Sequence, residues 1–127
     1  MNVSTRYTRQ INEVEALKAI YGDAFKPLDV VWKTVEPPPH FAISIGHNEA
    51  SFWLEFTLSA SYPDQPPAIT LRNKKNVAPS LATDLLKLTQ SACGSRLGTE
   101  MIYEVVELAR ERLQDPQHER SFYDRMI

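Results

Sequence analysis

Three prolines within six residues, in Tyr62-Pro63-Asp64-Gln65-Pro66-Pro67, limit what this chain can fold into more than any other feature. Each proline fixes its own φ at about −65° and removes an amide donor, so neither a helix nor a central strand passes through the segment. Tyr62, Gln65 and Pro66 each precede a proline and are pushed towards extended backbone, while Asp64 and Gln65 suit tight turns. The segment is a rigid corner, with Tyr62 packed on it, and the chain before it and after it must be organised separately.

Upstream, Ile11, Val14, Leu17, Ile20 and Tyr21 recur at steps of three and four from about Thr8 to Tyr21, which predicts an amphipathic helix with Gln10, Glu13 and Lys18 on its outer side. Gly22 stops that helix, and Asp23 and Pro27 keep it from resuming. Leu28 to Val35, with Val30, Val31, Trp32 and Val35, reads as a first strand, and Glu36-Pro37-Pro38-Pro39-His40 as a second rigid connector. Phe41, Ile43 and Ile45 alternate with Ala42 and Ser44 before a turn at Gly46-His47-Asn48-Glu49. Phe52, Leu54, Phe56 and Leu58 then alternate with Trp53, Glu55, Thr57 and Ser59, the clearest strand pattern in the chain.

Beyond the corner, Ile69 and Leu71 make a short fourth strand ending in a polar loop, Asn73-Lys74-Lys75-Asn76. Pro79-Ser80 opens a second helix carrying Leu81, Leu85, Leu88, Ala92 and Cys93, with Gly94 as its stop. A third helix follows Gly98, with Thr99 as N-cap, Glu100 in the first turn and a stripe of Ile102, Val105, Val106, Ala109 and Leu113 up to Pro116. The order α-β-β-β-β-α-α predicts an α+β fold, a four-stranded antiparallel sheet with helices packed on one face. Residues 1–7 read as an extension, 8–115 as the domain, and 116–127 as a polar tail with Phe122, Tyr123 and Met126.

At 127 residues the chain supports a single core. A net charge of −2 gives no overall attraction to nucleic acid or to an anionic membrane. No apolar run is long enough for a span and no signal peptide is evident, so a cytoplasmic location is expected. The single cysteine, Cys93, rules out an internal disulfide and a multi-cysteine metal site, and it stands at a helix end where the dipole raises a thiol pKa. His40, His47 and His118 are dispersed, and four glycines form no phosphate cradle, so no metal, cofactor or catalytic residue is expected.

Two features stand out against that background. At about 100° per residue, Glu100, Glu104, Glu107 and Glu111 fall in one stripe nearly opposite the apolar stripe of the third helix. Such a stripe is either a solvated face or an acidic surface for a basic partner. Trp53, by strict alternation, lies on the sheet face away from Phe52 and Leu54. It either stacks on Trp32 or Phe41 or stands as an aromatic anchor for a partner.

The run Ile11-Asn12-Glu13-Val14-Glu15-Ala16-Leu17-Lys18-Ala19-Ile20-Tyr21-Gly22, then Tyr62-Pro63-x-x-x-Pro67, then Gly98-x-Glu100-Met101-Ile102-Tyr103-Glu104 resembles the three signatures of the RWD domain, in the same order and across about residues 8 to 115. Within that family, Leu71-Arg72-Asn73-x-x-Asn76-Val77, the Met101-to-Glu104 run and Ser121-Phe122-Tyr123-x-x-Met126 are most similar to the N-terminal domains of general-control kinases of translation initiation factor 2. The resemblance implies a non-catalytic fragment of a longer protein. Its partner would be the ribosome-associated activator scaffold of those kinases, bound during amino-acid starvation. An RWD domain of a ubiquitin ligase, or of a stand-alone regulator competing for the same scaffold, is the alternative. The fold is related to ubiquitin-conjugating enzymes, but their His-Pro-Asn segment and the cysteine after it are missing from the matching part of this sequence, which disfavours residual conjugation chemistry.

Overall fold

The computed structural model describes residues 3–28 and 39–114. The chain runs α1 (Val3–Tyr21), a short 3-10 turn (Gly22–Ala24), β1 (Phe25–Pro27), β2 (His40–His47), β3 (Ala50–Thr57), β4 (Ala68–Lys75), α2 (Pro79–Gly94) and α3 (Ile102–Leu113). The strands form one antiparallel sheet in the order β1-β2-β3-β4, and each helix contributes to a single core cluster on one face of it. The α+β architecture expected from the sequence is therefore present.

Alternation in β2 and β3 fixes the register that builds the core. Phe41 faces Phe56, Ile43 faces Leu54 and Ile45 faces Phe52, and all six side chains are buried. Burying each such side chain contributes roughly 1.5–3 kcal/mol relative to leaving it in water, so a slip of one residue is strongly opposed. Phe41 also stacks between Phe25 at 5.2 Å and Phe56 at 5.5 Å. From the helical side come Leu17 of α1, Leu81 and Leu85 of α2, and the full α3 stripe of Ile102, Val105, Val106, Ala109 and Leu113.

Several boundaries differ from the sequence reading. The helix read from Thr8 begins at Val3. Gln10 and Glu13, read as outward, turn towards the corner: Gln10 is 2% exposed and Glu13 is half-buried. They share a face with Val14, Leu17 and Tyr21, spaced at three and four residues, and their polar ends meet hydrogen-bond partners there. A short strand not read from the sequence, Phe25–Pro27, pairs with β2, while the strand read over Leu28–Val35 lies, apart from Leu28, outside the described residues, as does the tail from 115 onward.

The hairpin turn is tighter than expected. Gly46 and His47 belong to β2, and Asn48 with Glu49 makes the reversal, Asn48 adopting φ 56°. Asparagine tolerates that left-handed conformation better than most residues. Asn73, Lys74 and Lys75 extend β4 instead of forming a loop. Asn73 has φ 52°, and the β3 register shifts across it, from Trp53↔Arg72 to Ser51↔Lys75. This is a bulge. In α2, Leu88 is half-buried and the fully buried place is taken by Thr89, whose hydroxyl donates to the Leu86 carbonyl at 2.9 Å.

Candidate partner-binding site

The corner at Tyr62–Pro67 positions α3. Its Tyr62–Pro63 peptide is cis, and Tyr62 is fully buried. The Tyr62 hydroxyl donates to Glu13 Oε1 at 2.6 Å and accepts from the Met101 N–H at 3.0 Å, while Glu13 Oε2 accepts from the Ile102 N–H at 3.1 Å. Helix N-termini leave amides without intrahelical partners. Here two amides at the start of α3 are capped over long range, by a side chain from the corner and one from α1. Thr99 and Glu100, read as the N-cap and first turn, instead precede the helix, and Thr99 Oγ1 donates back to the Arg96 carbonyl at 2.9 Å.

Gln10 fastens the other side of the corner, donating to the carbonyls of Ser59 at 2.9 Å and Tyr62 at 3.1 Å. The Gly98 N–H donates to the Pro63 carbonyl at 2.9 Å, tying in the α2–α3 connection. Burial raises the Glu13 carboxyl above its ordinary pKa despite the hydrogen bonds from Tyr62 and Ile102, and the nearby Glu100 charge adds to the rise. The Tyr62 phenol is also pushed up, by burial first and then by the Glu13 charge.

Glu104, Glu107 and Glu111 lie on α3 and Glu100 just ahead of it, and most are engaged. Glu100 pairs with Arg9 at 2.6 Å and Glu104 with Arg96 at 2.6 Å. Glu107 accepts from Tyr21 at 2.8 Å and lies 3.4 Å from Arg110. Glu111 is exposed and has no partner among the described residues. Helix α1, the α2–α3 connection and α3 itself thus supply cations that offset the like-charge repulsion along the stripe. Exposed ion pairs of this kind contribute at most about 1 kcal/mol, so a partner's cation can exchange with Arg9 or Arg96 at small cost.

Two apolar side chains accompany this surface. Tyr103 is 49% exposed, its ring 6.3 Å from that of Tyr21, and Ile20 is 54% exposed at the end of α1. Neither was picked out in the sequence as a surface feature; Ile20 belongs by spacing to the apolar stripe of α1, yet it lies outside the core cluster. Trp53 is not part of the α3 face. It lies half-buried on the opposite side of the sheet, across from Ser44 and Arg72, and it does not stack on Phe41, which belongs to the core face. Trp32 lies outside the described residues. Sequence reasoning also missed Glu13, Gln10, Arg9 and Arg96, the polar groups that orient α3 and its carboxylates.

Cys93 is fully buried in the core, and burial pushes its thiol up to about 11, with Arg96 opposing only in part. A deeply buried, protonated thiol is not a nucleophile. No described helix is long and apolar enough to cross a membrane.

Among the described residues, a four-stranded antiparallel sheet with three helices packed on it and a proline corner gives the chain an α+β fold of the ubiquitin-conjugating-enzyme-like kind. Its family is specific: residues 8–113 match the RWD domain, and the chain belongs to that family of protein-interaction modules. It is 33% identical over 119 residues to the eIF-2-alpha kinase GCN2 of Schizosaccharomyces pombe, a match covering 88% of this chain and 8% of the kinase. It is 27% identical over 110 residues to the human E3 ubiquitin-protein ligase RNF25, covering 82% of this chain and 24% of the ligase. The solution structure of the RWD domain of mouse GCN2 superimposes with a TM-score of 0.75 at 25% identity, covering 82% of each chain. The chain therefore spans only a small part of the full-length relatives it matches.

Proposed function

We propose that this domain recruits a translation-regulating kinase to its ribosome-associated activator scaffold during amino-acid starvation, through the acidic face of α3. The observation that carries the reading is the outward projection of Glu104 and Glu111 from a helix whose other side is wholly buried, with Glu104 61% exposed. Glu107 lies between them and Glu100 precedes them, and Tyr103 supplies an apolar contact beside the charges. A basic segment of the scaffold fits such a surface, drawn in by charge and weakened by salt. Trp53, on the far side of the sheet, is reached only by a partner that wraps around an edge.

The test is a pull-down with the C-terminal region of the scaffold, comparing wild type with Glu104→Lys plus Glu111→Lys. Glu111 has no partner among the described residues and Glu104 has only its exposed pair with Arg96, worth at most about 1 kcal/mol, so the variant keeps its fold. Binding at least about tenfold weaker supports the reading; unchanged binding removes α3 from the contact.

A second reading follows from the match to RNF25. The domain then belongs to a ubiquitin ligase, or to a free-standing regulator, and the same α3 face receives that protein's partner. The sequence of the full-length protein beyond Ile127 decides between them, a kinase segment supporting the first and a RING segment the second.

A further inference from the structure

The outer edge of β4 has no strand beside it among the described residues. Which backbone groups it presents follows from one hydrogen bond. The Leu58 N–H donates to the Pro39 carbonyl at 3.0 Å, which makes residues 39 and 58 a hydrogen-bonded antiparallel pair. Such pairs alternate along a ladder. Phe52, Leu54 and Phe56 therefore direct their amides and carbonyls to β2, and Trp53, Glu55 and Thr57 direct theirs to β4. Their partners on β4 are Arg72, Thr70 and Ala68. The intervening Ile69 and Leu71 turn both their N–H and C=O groups outward, while their side chains lie half-buried on the core face.

The edge is protected at one end only. Beyond Arg72 the bulge at Asn73 and the charges of Lys74 and Lys75 discourage pairing with a neutral strand. From Ala68 to Leu71 there is neither charge nor bulge. The cations differ in availability. Arg72 is held by both oxygens of Glu55, with its Nε at 2.5 Å, whereas Lys74 and Lys75 have no ion-pair partner among the described residues. We propose that this edge binds an extended acidic peptide segment by strand addition, its backbone pairing with Ile69 and Leu71 and its carboxylates meeting Lys74 and Lys75. A second copy of this chain is the weaker fit, because Ala68–Lys75 contains three cations and no acid to meet them.

The site is independent of the α3 face, so the two proposals stand or fall separately. The test titrates the labelled chain with a short synthetic peptide of alternating valine and threonine ending in a run of glutamates, followed by amide exchange. The expected result is saturable binding that slows exchange at Ile69 and Leu71 by about tenfold or more. A peptide ending in lysines, and one N-methylated at alternate residues, leave exchange unchanged. Lys74→Glu plus Lys75→Glu abolishes the response at low salt. No protection at Ile69 and Leu71, equal protection by the lysine peptide, or concentration-dependent self-association that protects the same amides without peptide would each overturn the proposal.

Discussion

The phenol of Tyr62 and the carboxylate of Glu13 meet at 2.6 Å, and between them they cap the Met101 and Ile102 amides at the start of α3. The corner thereby does two jobs through one side chain. It closes the core with an aromatic ring, and its hydroxyl helps to cap the start of α3.

Replacing Tyr62 with Phe keeps the ring and deletes the hydroxyl. The Met101 amide then loses its buried acceptor and Glu13 loses a donor, which costs about 1–3 kcal/mol. Urea denaturation of the two proteins measures this directly, and partner binding by the folded fraction remains at wild-type strength.

Glu13 gives stability a pH dependence of definite sign. Its folded pKa is raised, by burial above all, from an ordinary value of 4.5. Its contribution is therefore complete below that value and declines as pH rises through the higher folded pKa. Glu55 contributes in the opposite sense. Burial opposes its ionisation, but Arg72 and His40 outweigh that and lower its pKa, so its contribution is lost as pH falls. Comparing wild type with Glu13→Gln between about pH 4 and 7 isolates the first effect: the difference in unfolding free energy changes across that window. A constant difference removes Glu13 from the account.

Arg96 competes with any basic partner for Glu104. Arg96→Ala frees that carboxylate, and binding of a basic partner to α3 tightens about twofold to fivefold, the scale of an exposed ion pair. Titration calorimetry at low salt resolves a change of that size.

Cys93 reports on opening of the core. With the thiol fully buried and its pKa at about 11, alkylation by iodoacetamide at neutral pH follows the population of unfolded chain. Rates therefore rise in Tyr62→Phe exponentially with its loss of stability, about tenfold for each 1.4 kcal/mol. Rapid labelling of the native wild type would contradict the burial.

Much of the fold is legible in the sequence because its signals are periodic. Phe52 to Leu58 alternate, Ile102 to Leu113 recur with helical spacing, and the prolines at 63, 66 and 67 exclude regular structure. The polar residues of α1 are not legible in this way. Gln10 and Glu13 look solvent-facing because polarity is taken as a sign of exposure, whereas both are drawn inward by backbone groups of the corner and of α3 that are distant in sequence. The start of α3 misleads for a related reason. Thr99 and Glu100 form a plausible local cap, but the amides of Met101 and Ile102 are satisfied by Tyr62 and Glu13 instead. The acidic stripe is visible by spacing; its pairing with Arg9 and Arg96 depends on how three elements meet, and no local pattern encodes that.

The central claim is a division of labour, with Tyr62 and Glu13 holding α3 in place and Glu104 and Glu111 meeting the partner. One calorimetric titration series against the scaffold's C-terminal region, with unfolding midpoints recorded for the same samples, tests it most directly. The predicted result is that Glu104→Lys plus Glu111→Lys binds at least about tenfold more weakly at an unchanged midpoint, whereas Tyr62→Phe lowers the midpoint and leaves the affinity of the folded protein intact. The reverse pattern, Tyr62→Phe abolishing binding at an unchanged midpoint while the charge reversals bind normally, would contradict it.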